Sequence, residues 1–264
     1  MYNLLAEAER VEAEGAMSGH NKWSTIKHKK GKADAKRGKI FTKIIRELTT
    51  AAREGGGDAD GNPRLRTAIT AAKAANMPGD TMKKAIQRGT GELPGVAYEE
   101  VMYEGYGPGG VAVMLQVLTD NRNRTTAEIR HLFGKHGGNL GESGCVAYLF
   151  KKQGYLIVPK SSGSEDAAME AALEAGAEDF FAEDPELYEI YTAPEDLHKV
   201  KHALEAKGLA VEQAKVEMVP TAQVRLEDKR AEQMVRLMDA FEDHDDVQNV
   251  WANADIDVKL LEVS

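Results

Sequence analysis

Cysteine is almost absent: Cys145 is the only one in 264 residues. An internal disulfide framework is therefore excluded, and the chain suits a reducing compartment. Aromatic residues are sparse, at 6%. No apolar run approaches the ~20 residues that would span a bilayer. The first residues, Met1-Tyr2-Asn3-Leu4-Leu5, lack the basic region and long apolar stretch of a secretory signal. Zinc-finger cysteine pairs and calcium-loop spacing are missing as well. These gaps point to a soluble, cytoplasmic chain without a metal or cofactor framework.

Present instead is an uneven distribution of charge. The net charge is -9. Residues 1–16 carry one Arg and four Glu; residues 17–90 carry 17 basic against 6 acidic residues; residues 91–160 carry 7 of each; residues 161–264 carry 9 basic against 26 acidic. All of the excess positive charge sits in one segment. A basic domain beside an acidic one suggests a polyanion for the first, because phosphate contacts supply most non-specific affinity.

The pattern divides the chain. Residues 1–16 are acidic and Ala/Glu-rich and read as an extension, with Met17 a plausible start. Residues 17–90 read as a basic helical domain. Its first stretch, 18–39, has little apolar anchorage. An apolar stripe then begins at Ile40 and runs through Phe41, Ile44, Ile45, Leu48, Ala51 and Ala52. Asn62 and Pro63 predict a capped second helix. Asp80 is expected to cap a third, ended by Gly89.

From Gly91 the pattern is α+β. Residues 91–152 supply strand, strand, helix and a last strand at 145–150. Residues 153–220 supply βαββαβ, the order of a ferredoxin-like fold. Residues 221–264 supply strand, helix (228–242), strand (247–252). The expected fold is a helical N-terminal domain followed by two ferredoxin-like α+β domains. One of these, 153–220, is inserted in the other, a discontinuous domain of 91–152 plus 221–264.

Several motifs fall short of catalysis. Gly105-Tyr106-Gly107-Pro108-Gly109-Gly110 matches G-x-G-x-x-G but leads into an apolar strand instead of a helix, so a hairpin turn is expected. Gly141-Glu142-Ser143-Gly144-Cys145 misses the second glycine of a nucleophile elbow. Cys145 then reads as a buried structural thiol. His198 and His202 share a helix face but lack the glutamate of a zinc protease and read as solvated. The acidic run Glu242-Asp243-His244-Asp245-Asp246 reads as a solvated helix end, with Mg²⁺ binding the alternative.

The basic arm carries the functional reading. Lys22, Trp23, Lys27, His28, Lys29, Lys30, Lys32, Lys36, Arg37, Lys39 and Lys43 are the candidate nucleic-acid-binding residues. Lysine and arginine grip phosphate, and Trp23 offers a ring for an unpaired base. Trp23 packed in the domain core is the competing reading. No catalytic residue, metal ligand, cofactor, membrane contact or small-molecule substrate is assigned.

Met17-Ser18-Gly19-His20-Asn21-Lys22-Trp23-Ser24-Thr25-Ile26-Lys27-His28-Lys29-Lys30 resembles the start of the YebC/PmpR family. So do Gly38–Lys43, Asn76-Met77-Pro78, Tyr103–Gly110, Thr119–Thr125 and Asp246–Val250. The resemblance covers about residues 17–258. It implies a three-domain α+β regulator, of a family described both as DNA-binding transcriptional regulators and as translational activators acting at the ribosome. DNA, ribosomal RNA and the ribosome are thus the expected partners. No catalytic residues come with the resemblance. The alternatives are a metal-dependent nuclease using 242–246 and a protein–protein adaptor.

Overall fold

The computed structural model describes residues 37–256, which form an α+β protein in two compact units. One unit is formed by residues 148–223. The other joins the helical segment to residues 98–147 and 224–256.

The helical segment is three helices: α1 (Arg37–Gly55), α2 (Pro63–Ala74) and α3 (Gly79–Thr90). Asn62 ties two of them together. Its Oδ1 accepts from the Leu65 amide at 3.0 Å, capping α2, while its Nδ2 donates to the Ala51 and Gly56 carbonyls at the end of α1. The core is built of Leu48, Ala51, Ala52, Leu65, Ala68, Ala72, Met77 and Ala85. Burying a leucine such as Leu48 or Leu65 contributes about 2 kcal/mol. The alanines let the helices approach closely.

Two details of α3 differ from expectation. Asp80 lies inside the first turn, and Pro78 holds the cap position without a side-chain bond. Gly91, with φ 84°, ends the helix in the left-handed region. Gly89 stays helical for a packing reason: a Cβ there would lie 2.4 Å from the Thr49 carbonyl oxygen of α1.

Strands β1 (Glu99–Tyr106) and β2 (Ala112–Thr119) form an antiparallel hairpin whose turn is Pro108–Gly110. The glycine-rich motif is thus a turn, with Gly109 and Gly110 at φ 75° and 81°. Helix α4 (Arg122–Lys135) and the two-residue β3 (Asn139–Leu140) follow. After residue 223 come β8 (Val224–Leu226), α7 (Asp228–Glu242), β9 (Val247–Ala252) and β10 (Ala254–Ile256). The sheet order is β3-β1-β2-β9, and β8 pairs with β10 in parallel. The core under that sheet gathers Val113, Leu115, Ile129, Phe133, Met234, Leu237, Met238 and Phe241. The Phe133 and Phe241 rings meet edge to face at 4.8 Å.

The second unit runs β4 (Phe150–Pro159), α5 (Glu165–Ala175), β5 (Ala177–Phe181), β6 (Leu187–Thr192), α6 (Leu197–Ala206) and β7 (Gln213–Pro220). Its antiparallel sheet has the order β5-β6-β4-β7, the ferredoxin-like arrangement. Leu156, Val158, Ile190, Val200 and Leu204 form its core with the alanine face of α5. His198 and His202 are exposed on α6, as expected.

The strand expected at 145–150 is corrected. Residues 141–149 form turns, and β4 begins at Phe150. The cause is Glu104. Its buried carboxylate accepts from the Gly144, Val146 and Ala147 amides at 2.7, 2.8 and 2.9 Å. An extended chain could not converge these amides on one carboxylate. Cys145 is consequently only partly buried. Burial and the nearby Glu104 charge push its thiol pKa up, the opposite of an activated nucleophile.

Candidate nucleic-acid interface

Lys22, Trp23, Lys27, His28, Lys29, Lys30, Lys32 and Lys36 lie outside the described residues, as does the side chain of Arg37 at the start of α1. Two of the expected contacts are described, and both are engaged within the protein. Lys39 Nζ donates to the Asp243 carbonyl at 3.0 Å and lies 3.6 Å from its carboxylate. Lys43 Nζ donates to the Glu242 carbonyl at 2.7 Å. These carbonyls end α7. Helix ends leave their last carbonyls without intrahelical donors and carry partial negative charge, so lysines suit them.

Other cations on the helical segment face outward. Arg53 on α1, Arg66 and Lys73 on α2, and Lys83, Lys84 and Arg88 on α3 are all exposed. None forms an ion pair with another described residue. Arg66, Thr70 and Lys73 fall at i, i+4 and i+7 and share a face of α2. These six lie outside the arm, where basic residues are densest in the sequence. The helical period was the available signal, since all six fall outside the apolar stripes. Arg64 differs: it pairs with Glu47, Glu54 and Glu100, and the Glu47 bond above all holds its guanidinium in the charged form.

Beside Lys39 and Lys43 lies a cluster centred on Asp246. Its side chain is 2% exposed. It accepts from Arg46 of α1 and from Thr125, and from Arg124 at 2.7 Å. Burial alone would raise its pKa; the Thr125, Arg46 and Arg124 bonds overcome that and hold it well below the usual carboxylate range. Arg46 also donates to the Leu118 carbonyl at 2.9 Å, and its guanidinium lies 5.4 Å from the centre of the Tyr98 ring. The run 242–246 is thus not simply a solvated helix end: its last residue is a buried ionic junction.

His244 completes the cluster. Its Nδ1 accepts from the Asp246 amide at 3.1 Å, which leaves Nε2 to donate to Glu128 at 3.0 Å. Glu128, His244 and Asp246 bring ligand atoms within 4.8 Å of one another. They make a poor cation site, because Asp246 already serves two guanidiniums and both histidine nitrogens are used. An open cleft of about 780 Å³ runs alongside, lined by residues of both signs, including Lys39, Arg124, His131 and Asp245.

A basic helical segment joined to an α+β body through the buried Arg46–Asp246 pair and the part-exposed Arg64–Glu100 pair defines a multidomain α+β protein. The comparison with known families makes the assignment specific. The TACO1/YebC N-terminal domain matches residues 21–92, and the TACO1/YebC second and third domain matches residues 98–254. The chain belongs to the TACO1/YebC family. A probable transcriptional regulatory protein of Desulforapulum autotrophicum is 60% identical over 240 residues, covering 91% of this chain and 97% of that protein. Another so named, from Persephonella marina, is 56% identical over 247 residues, covering 93% and 99%. The crystal structure of a conserved hypothetical protein from Aquifex aeolicus superposes with a TM-score of 0.76 at 52% identity, over 85% of this chain and 92% of that one. Among the described residues no helix is long and apolar enough to cross a membrane.

Proposed function

We propose that this protein is a non-enzymatic regulator of gene expression that binds nucleic acid through its basic helical domain. The observation that carries the reading is the confinement of positive charge: 17 basic against 6 acidic residues at 17–90 in a chain of net charge -9. Six of those cations stand exposed on the described helices. Relatives at about 60% identity are named probable transcriptional regulatory proteins, which supports a regulatory role. The arm residues Lys22, Lys27, Lys29, Lys30, Lys32, Lys36 and Arg37 add to the same basic domain, with Trp23 and His28 available to meet bases. Phosphate is the shared chemistry of DNA and ribosomal RNA, and either target, or the ribosome itself, fits a basic helical surface. The site of action is the cytoplasm.

Crosslinking in cells, followed by sequencing of bound RNA and DNA together and mapping of the crosslinked peptides, tests the proposal. Crosslinks concentrated in residues 17–90 are expected. Crosslinks confined to other segments, or none, would overturn it.

A further inference from the structure

Lys39, Lys43 and Arg46 recur along one side of α1, and all three are seated on one acidic corner of the protein itself. Lys39 and Lys43 meet the carbonyls of Asp243 and Glu242; Arg46 meets Asp246. That corner combines the orphan carbonyls of a helix end with the carboxylates of residues 242, 243, 245 and 246. It offers α1 what a phosphate backbone would offer: several oxygen acceptors carrying negative charge at close spacing.

We propose that the 242–246 corner is a built-in competitor for nucleic acid, an autoinhibitory contact that occupies the α1 cations until it is released. The inference rests on the nucleic-acid reading above and adds its regulation. A phosphate approaching Lys39 or Lys43 meets the Asp243 and Asp245 carboxylates as well, so full engagement requires α1 to leave the corner. Two features make release feasible. The connection between α3 and β1, residues 91–97, is exposed at every position, and the hydrogen bonds of Glu92 and Leu93 run back to α3. The cleft beside the corner is open and about 780 Å³ in volume, leaving room at the seam. The corner is secured mainly at Asp246, because that carboxylate is the buried one. If only the released form binds fully, apparent affinity is reduced by the fraction released, and loosening the corner tightens binding without adding a contact.

Binding of the full chain to a labelled RNA hairpin and to a labelled DNA duplex, at ~150 mM salt, tests this. The comparison is parent, Asp246→Asn, and Glu142→Gln as a control that removes one negative charge at an exposed position outside the corner. Asp246→Asn should bind roughly three- to tenfold tighter than the parent, and Glu142→Gln within about twofold. Arg46→Met releases the corner from the other side and should bind at least as tightly as the parent despite losing a cation, a second route should Asp246→Asn fold poorly. Spin labels at Lys73→Cys and Asn123→Cys, in a Cys145→Ser background, should report a longer and broader distance distribution when Asp246→Asn is added. If the chains bind but Asp246→Asn matches Glu142→Gln and the distances do not change, the competitor is refuted while the nucleic-acid reading stands. If no chain binds either probe, the nucleic-acid reading falls and this inference falls with it.

Discussion

Replacing Asp246 by Asn removes a charge that three groups share, and its cost can be worked from the contacts. Asparagine keeps the shape and one oxygen, so Thr125 retains an acceptor. Arg124 is 42% exposed and also bonds Asp120 at 3.0 Å, so it loses little. Arg46 is only 13% exposed and is left with the Leu118 carbonyl and the Tyr98 ring. Breaking a buried pair by removing one partner costs about 3–5 kcal/mol, and the retained shape places this case near the lower figure, about 3 kcal/mol. For a unit of this size that is a fall of roughly 6–12 °C in Tm. A domain with about 5–15 kcal/mol of stability stays folded at 25 °C. The pH dependence gives a second check. The Asp246 pKa is depressed in the folded state, so its stabilisation is fully present above the unfolded carboxyl value of ~3.9 and is lost as pH falls toward the folded value. The gap in Tm between parent and Asp246→Asn should therefore be full at pH 7 and narrow progressively below about pH 4. Calorimetry of both proteins from pH 7 to pH 3 reads it. A loss under ~1 kcal/mol at pH 7, or a gap that widens in acid, would mean that the junction does not hold α1 as its contacts suggest.

Three further outcomes follow from the packing. Glu104→Ala leaves the amides of Gly144, Val146 and Ala147 without their acceptor and should cost about 3 kcal/mol or more in thermal unfolding, given ~1–3 kcal/mol for each buried group left unpaired; a near-neutral result would mean that water replaces the carboxylate. Gly89→Ala forces a methyl against the Thr49 carbonyl and should destabilise the helical segment by about 1–3 kcal/mol, seen as weakened hydrogen-exchange protection in α1 and α3. Residues 148–223 expressed alone should unfold cooperatively, because both its sheet and its helices are complete, whereas residues 91–152 alone should not fold, lacking β9 and α7.

Much of this fold could be read from local pattern, and the failures have physical causes. Helix 228–242 and strand 247–252 coincide with the structure because their apolar periodicity runs unbroken between polar ends. Asn62 and Pro63 announced α2 through the chemistry of its cap. The run Cys145-Val146-Ala147-Tyr148-Leu149-Phe150 has the composition of a strand, yet a carboxylate 40 residues earlier folds it into a turn. Strand β3 is two residues long and exists only through pairing with Gly105 and Tyr106. The Asp246 junction was illegible for the same reason: its arginine partners lie 200 and 122 residues away, so locally it is one acid among several. The available signal was that Arg124, Thr125 and Asp246 all fall in stretches resembling the family. On the helical segment, the six outward cations were legible as charge but not as a surface, because which lysines are engaged within the protein depends on where α7 ends.

If the helical segment holds nucleic acid through its outward cations, as proposed, the salt dependence of binding shows it most directly. Affinity for a labelled RNA hairpin and a DNA duplex should be followed from ~50 to ~200 mM salt for the parent and for Lys83→Glu/Lys84→Glu/Arg88→Glu. These three side chains are exposed, so the variant should keep the parent Tm. Removing one phosphate contact lowers the slope of log affinity against log salt by about 0.7–0.9. Steeply salt-dependent binding is expected of the parent, and the folded variant should show both weaker binding and a slope shallower by about 2. An unchanged slope and affinity in the folded variant would contradict the proposal.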